Sequence, residues 1–193
     1  MIEYLYIVLA STLFGLQHSG MSALRVKERI IDKWGKEGYA RAFSISSIVT
    51  LLLAFISMNF WDWVYFVREP ILIQPVLFTL GILSGLIGVV LAMMASKVIS
   101  VSTVADMRSD RKAELVTDGI YSRVRHPLYL ATLLVFSALA LIYPFPPVIT
   151  FSLCMILYTM IGAYFEERKL VLHYGDDYLE YKKMAGFILP KIR

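Results

Sequence analysis

Two short stretches carry side chains able to do chemistry. The first is Arg125-His126-Pro127-Leu128-Tyr129 and the second is the carboxylate pair Glu166-Glu167. Proline suits the first position of a helix, where its missing N–H has no partner to lose. Arg125 and His126 are therefore expected at a helix mouth, beside free backbone N–H groups and the positive dipole end. Such a mouth suits a carboxylate, or a ribose or phosphate oxygen. The plainer reading makes Arg125 a topogenic charge and His126 an interfacial residue. If a helix ends at Glu166-Glu167, the two carboxylates face each other and its negative end, and need a cation. Arg168 and Lys169 could supply it; the functional reading is that one carboxylate grips a cationic or hydroxyl-bearing ligand.

A further polar pair, Gln17-His18, interrupts an apolar stretch. It is expected to bond a neighbouring helix. His18, His126 and His173 fall in three separate segments, so no convergent metal site is expected. The one cysteine, Cys154, excludes an intramolecular disulfide and reads as packing. Asp118-Gly119 marks a turn. Gly175 reads as a helix stop, and Asp177 with Glu180 as the N-cap and capping box of a short helix bearing Tyr178 and Tyr181.

The elements that must position these groups follow from the charges. The chain has 193 residues, 58% hydrophobic and 18% charged, with a mean hydropathy of +0.66. It is too apolar for a disordered or nucleic-acid-binding chain and too charged for a bare hydrophobic anchor. No Lys, Arg, Asp or Glu occurs between Glu3 and Arg25, Arg41 and Asp62, Glu69 and Lys97, or Arg125 and Glu166. A bilayer core needs about 20 apolar residues of helix, so each of the first three gaps fits one crossing. The fourth is twice as long and carries Pro144, Pro146 and Pro147 at its middle, which predicts two crossings joined by a tight hairpin. The expected fold is an all-α, polytopic bundle of five transmembrane helices, over 4–24, 43–66, 71–95, 128–143 and 147–166. It reads as a single domain, 1–193. No cleaved signal peptide is expected, because the first residues carry Glu3 and no Lys or Arg.

Lys and Arg set the orientation. Six lie in 25–41, six in 97–125 and six in 168–193; only Arg68 falls on the other side. The positive-inside rule then puts the N-terminus outside and the C-terminus in the cytoplasm, and accounts for the net charge of +4 without nucleic acid. Tyr4, Tyr6, Trp61, Trp63, Tyr65, Tyr143 and Phe145 are expected as an outer aromatic belt. Gly81, Ser84, Gly85 and Gly88 form a small-residue row that lets helices approach closely in lipid. The long inner segments, 97–127 and 166–193, are where a site should lie.

The run Leu115-Val-x-x-Gly119-x-Tyr121-x-x-x-Arg125-His126-Pro127-x-Tyr129, followed after a hairpin by Glu166-Glu167 and Tyr174-Gly175-x-x-Tyr178-x-x-Tyr181, resembles the isoprenylcysteine carboxyl methyltransferase and phospholipid methyltransferase superfamily. The match covers about 113–190. The segment Leu13-Phe-Gly-Leu-Gln17-His18-Ser19-Gly-Met21 is similar to the corresponding helix of bacterial methanethiol S-methyltransferases and NnrU-like membrane proteins. The resemblance implies a multi-pass enzyme of a bacterial or archaeal cytoplasmic membrane, with S-adenosylmethionine as methyl donor and 113–190 as the cofactor-binding half. It implies that His126 and Tyr129 contact the cofactor, that Glu167 with Glu166 binds its polar groups, and that Arg125 orients the loop or an acid group of the ligand. Gln17 and His18 become substrate-side candidates. One departure stands out: carboxyl-methylating relatives carry an arginine shortly before the carboxylates, where this chain has Ile161-Gly162-Ala163-Tyr164-Phe165. The acceptor stays open among a thiol, a carboxylate and a lipid amine. No general base is assigned, since thiolates and carboxylates arrive deprotonated. Two other readings are a non-catalytic membrane subunit or sensor, with the motif pair as a loop–tail latch, and a sterol-reductase-like enzyme. The small chain and the lack of a dinucleotide site argue against the last.

Overall fold

The computed structural model describes residues 2–98 and 115–191. Seven α-helices lie among them: α1 (Ile2–Ser22), α2 (Leu24–Ile56), α3 (Tyr65–Arg68), α4 (Pro75–Val98), α5 (Pro127–Ile142), α6 (Pro146–Tyr174) and α7 (Asp176–Met184). Short 3-10 turns occupy Pro70–Leu72 and Gly119–Ser122. Among the described residues there is no strand, only an isolated parallel bridge between Val124 and Gly186. Three helices, α2, α4 and α6, are long and apolar enough to cross a membrane. Helix α5 is apolar but has 16 residues, about 24 Å of helix against a hydrocarbon core of about 30 Å. Arg108, Arg111 and Lys112 of the expected inner loop lie outside the described residues, as does Arg193.

The prolines act as expected. Pro127 opens α5 and Pro146 opens α6, with 143–145 as the hairpin between them. Three other expectations are corrected. The second helix, expected over 43–66, begins at Leu24 and stops at Ile56. Its first section is an amphipathic helix that Gly35 separates from the apolar section with φ +72, a left-handed conformation open to glycine. Its end comes early because Met58 and Asn59 bond back to Phe55 and Ile56 in tight turns, and Asn59 adopts φ +48. Apolarity alone did not reveal this stop, because Phe60, Trp61 and Trp63 continue the hydrophobic run.

The last long helix, expected over 147–166, continues to Tyr174. The glutamate pair therefore sits about two turns inside the helix, away from its negative end. Asp177 does not cap the helix that follows: α7 is entered through Gly175 at φ +61 and starts at Asp176, so both aspartates lie in its first turn. Negative charge there favours the helix dipole without a side-chain cap.

The chain forms two compact units. In the first, Met1–Phe78 with Leu139–Tyr158, α1 lies against α2. Gln17 donates to Ser46 Oγ at 2.6 Å and accepts from Thr50 at 3.2 Å, while His18 meets the ring of Phe43 at 4.9 Å. Four of the aromatic residues expected as an outer belt, Trp63, Tyr65, Tyr143 and Phe145, form one contact cluster. Trp63 stacks on Phe55 at 5.0 Å, and Phe145 meets Phe60 and Tyr65 at 5.0 Å each. Tyr65 is buried and donates to the Ile142 carbonyl at 2.6 Å; Trp61 and Tyr6 remain exposed.

The second unit, Thr79–Ala138 with Thr159–Arg193, holds α5 against the small-residue row of α4. Ser84 donates to the Leu134 carbonyl at 2.9 Å, and a Cβ on Gly88 would come within 3.0 Å of the Ala131 carbonyl. In lipid this close approach replaces hydrophobic exclusion as the source of helix contact. A second cluster, Tyr174, Tyr178, Tyr181 and Ala185 with Leu115, Leu170 and Val171 around it, seats α7 and the tail.

Candidate active site

The site is assembled in the second unit by a backbone clasp. Arg125 N–H donates to the Gly186 carbonyl at 2.9 Å, Gly186 N–H to the Arg123 carbonyl at 3.0 Å, and His126 N–H to the Phe187 carbonyl at 3.2 Å. Gly186 is required there: a Cβ would fall 2.0 Å from the Leu189 carbonyl oxygen. Tyr181 adds a side-chain tie, donating to the Tyr121 carbonyl at 2.6 Å. These bonds lay the tail along residues 123–126, ahead of α5.

Helix α6 brings Glu167 against that clasp. Its carboxylate receives Arg125 Nη2 at 2.9 Å and Nε at 3.4 Å, His126 Nε2 at 2.8 Å, Lys182 Nζ at 3.2 Å and Tyr178 Oη at 3.3 Å. Charge-assisted and bidentate bonds of this kind are the strong ones. The remaining guanidinium nitrogen of Arg125 donates to the carbonyls of Lys182 and Ala185. The Arg125, His126 and Glu167 side chains are 8%, 3% and 11% exposed, while Lys182 is 36% exposed.

Glu166, one residue earlier and about 100° around the helix, is 34% exposed and pairs with Lys169 at 3.6 Å. The structure thus brings Arg125, His126 and Glu167 together and turns Glu166 away from them. Tyr129 stands edge-on to His126 at 5.5 Å, and a Cβ on Gly162 would come within 3.4 Å of its ring. Sequence reasoning did not assign roles to Tyr178 and Lys182. Their four-residue spacing on a short helix, which places them on one face, was the signal that could have found them. Gln17 and His18 lie in the first unit. There Tyr158 Oη meets His18 Nδ1 at 2.9 Å and Ser19 Oγ at 3.2 Å.

Electrostatics follow from burial. Burial pushes the His126 imidazole below its ordinary value. Glu167 and Glu166 pull it back up, and Arg125 adds to the depression. His126 is therefore neutral at pH 7, with Nε2–H donating to the carboxylate. Burial and the neighbouring Glu167 raise Tyr178 far above the usual phenol range, so it stays protonated and donates to the carboxylate. Beside the cluster lies a cavity of about 490 Å³ lined by Leu130, Leu133, Met160, Phe187, Ile188 and Leu189. Phe187 joins the two, its ring 5.1 Å from that of His126. Among the described residues, no group of His, Cys, Asp and Glu could hold a metal ion.

A buried polar cluster thus lies beside an apolar cavity, and the comparisons define the class of the protein. The phospholipid methyltransferase family model matches residues 76–177, and the chain belongs to that isoprenylcysteine methyltransferase-like family of membrane methyltransferases. It is 30% identical, over 96% of its length and 72% of the relative's, to methanethiol S-methyltransferase of Pseudomonas deceptionensis. Against methanethiol S-methyltransferase 2 of Bradyrhizobium diazoefficiens it is 27% identical, with the same shares covered. No solved structure matches the chain. With three apolar spans and this family, the protein is an integral membrane methyltransferase.

Proposed function

We propose that this protein transfers a methyl group from S-adenosylmethionine to a small, uncharged thiol such as methanethiol. The single observation that carries the reading is the buried cluster of Arg125, His126, Glu167, Tyr178 and Lys182 beside the apolar cavity. Its donor set fits a zwitterionic, hydroxyl-bearing donor. Two cations meet one carboxylate, which leaves a positive surplus for an amino-acid carboxylate. Arg125 and Lys182 would take that group, Glu167 and Glu166 would take ammonium or ribose hydroxyls, and His126 and Tyr129 would flank them. The bound donor supplies an activated sulfonium methyl, so the protein's work is placement.

Each part of the site has a definable task. The clasp fixes the backbone at Arg125 and His126, Glu167 fixes their side chains, and alignment of donor and acceptor is worth about 7–11 kcal/mol of barrier. Phe187, Leu130 and Leu133 exclude water, which strengthens the electrostatics around a cation losing its charge. The cavity lining contains no charged side chain, which favours an apolar acceptor over a carboxylate. The stretch 161–165 points the same way, because it lacks the arginine of carboxyl-methylating relatives. The names of the relatives add the thiol. Gln17 and His18 are proposed as a substrate-side pair.

In this reading the chain crosses the membrane five times, with the N-terminus outside and the site facing the cytosol. The support is the charge distribution, 18 of 19 Lys and Arg falling in three segments of one side. Mass spectrometry of membranes incubated with deuteromethyl-labelled donor and methanethiol tests the function: labelled dimethyl sulfide is expected. Calorimetry should show binding of the donor and its demethylated product. No binding, with His126→Ala and Glu167→Ala indistinguishable from wild type, removes the proposal. A second reading, a structural latch in a non-catalytic subunit, is favoured by the saturation of Glu167 with four side-chain partners. It predicts that Arg125→Ala lowers stability while no transfer is found in either form.

A further inference from the structure

An alkyl thiol presents a difficulty that a carboxylate or a lipid-borne thiolate does not. Free cysteine ionises near about 8.5, so a thiol no more acidic than that is at most a few per cent thiolate at pH 7. The thiolate is the nucleophile. A site for such an acceptor needs a group that takes the proton as the sulfur attacks.

Among the described residues of the second unit, His126 is built for this. His126 is buried and its Nε2 is tied to Glu167 at 2.8 Å. That bond fixes the neutral ring with its proton on Nε2, and leaves the Nδ1 lone pair without a hydrogen bond among the described residues. Glu167 is itself oriented by Arg125, Tyr178 and Lys182. A base held by a carboxylate that is in turn held by other groups is the arrangement that activates weak nucleophiles elsewhere. The imidazole lies against Phe187, whose ring lines the apolar cavity, and one helical turn before Leu130, which lines it too. We propose that His126 is a catalytic residue: its Nδ1 is the general base that deprotonates the acceptor thiol seated in this cavity. The inference rests on the thiol methyltransferase reading above.

The step balances. The S–H bond breaks and its proton passes to Nδ1. The sulfur pair forms a bond to the donor methyl carbon, and the electrons of the broken carbon–sulfonium bond return to the donor's sulfur. The positive charge thus leaves the sulfonium and ends on an imidazolium held against Glu167. The charged groups around the ring and Tyr178 enter the balance, with the Tyr129 ring edge-on to the imidazole at 5.5 Å. Glu167 and Glu166 favour the imidazolium, Arg125 and Lys182 oppose it, and Tyr178 stays protonated. Burial keeps the resting ring neutral and ready to accept.

The test uses the full chain in detergent, with three readouts. Nitrogen NMR of histidine-labelled protein without donor, at pH 7.5, should show His126 neutral with the proton on Nε2. A proton on Nδ1, or an imidazolium, overturns the proposal before any turnover is measured. His126→Gln keeps an amide donor for Glu167 and removes the base. Its transfer rate should fall about 10²–10⁴-fold on an alkanethiol, and at least about tenfold less on an arenethiol already ionised at that pH. Equal losses on the two thiols overturn the proposal and leave His126 a ligand contact. If this variant fails to fold, the wild type decides. Its alkanethiol kcat/KM should lose activity below the His126 titration seen by NMR, with no such limb for the arenethiol; a shared limb overturns the proposal. If the wild type methylates neither thiol, the functional reading fails instead.

Discussion

Substituting Gly186 tests whether the clasp holds the site together. An alanine Cβ there would lie 2.0 Å from the Leu189 carbonyl oxygen and 2.8 Å from the Lys191 nitrogen, both backbone atoms that cannot rotate away. The tail must lift. Doing so strains or breaks the three clasp bonds: Arg125 to Gly186, Gly186 to Arg123 and His126 to Phe187. At about 0.5–1.5 kcal/mol net for each backbone bond, the loss is about 1.5–4.5 kcal/mol. Local opening should rise by the corresponding factor, about 10- to 10³-fold. Trypsin cleavage after Lys182 and Lys183, measured by mass spectrometry under conditions where opening is fast, follows that population. Gly186→Ala should be cut about 10- to 10³-fold faster than wild type, and should lose donor binding in parallel. The control is Gly20→Ala, where a Cβ meets nothing within 4 Å inside α1 and helix propensity gains about 0.5–1 kcal/mol. Cleavage of Gly186→Ala within threefold of wild type would refute the clasp.

Other outcomes are equally specific. Glu167→Gln leaves two buried or half-buried cations without their counter-charge and should cost about 3–5 kcal/mol in detergent unfolding, whereas Glu166→Gln should cost at most about 0.5 kcal/mol. Because the His126 pKa is lowered in the folded chain, its contribution to stability is complete above about pH 6.5 and is lost as pH falls through that value toward the folded pKa. Thermal unfolding between pH 8 and 5 should show that slope, and His126→Gln should remove it. Gly88→Val should break the α4–α5 contact, where a Cβ already meets a carbonyl at 3.0 Å, and lower stability by about 1–3 kcal/mol. With Cys154 replaced by Ser, a cysteine at position 69 should react with an impermeant thiol reagent from outside the cell and one at position 183 from inside.

Local signals were legible in the sequence because their physics is local. Pro127 and Pro146 start helices, Gly119 and Gly175 turn the chain at positive φ, and Ser84 and Gly88 sit against α5. The pairing of the Arg125-His126 corner with the carboxylates came from motif resemblance, and the geometry brings one of the two glutamates to that corner. Which one was not readable: neighbouring residues point about 100° apart on a helix, and the choice depends on where Arg125 arrives. That arrival depends on the Gly186 clasp, 63 residues downstream of Arg123, and no periodicity encodes it. The mutual contacts of the expected aromatic belt were unreadable for the same reason. Tyr65, Tyr143 and Phe145 have the composition of interfacial anchors, yet they face one another, because tertiary contact between chain segments decides burial.

The composition of the cluster also bears on latch against ligand site. A latch needs charges that cancel, and Arg125 with Glu167 alone would give a neutral, bidentate, largely buried pair. Lys182 makes the count two cations to one carboxylate, with His126 neutral and Tyr178 protonated. An uncompensated charge beside a buried pair is unfavourable in a low-dielectric surround unless water or an anion reaches it. Lys182 is the exposed member and His126 the buried one, so the surplus lies on the open side of the cluster. An anionic group arriving there neutralises Lys182 without breaking the Arg125–Glu167 pair, which is the economy of a site that binds a carboxylate-bearing ligand and must release it after each turnover. A structural latch gains nothing from the second cation, and Lys182→Met separates the two cases. As a latch, the protein should become no less stable and bind nothing worse; as a ligand site, it should keep its stability and lose donor affinity by about tenfold or more.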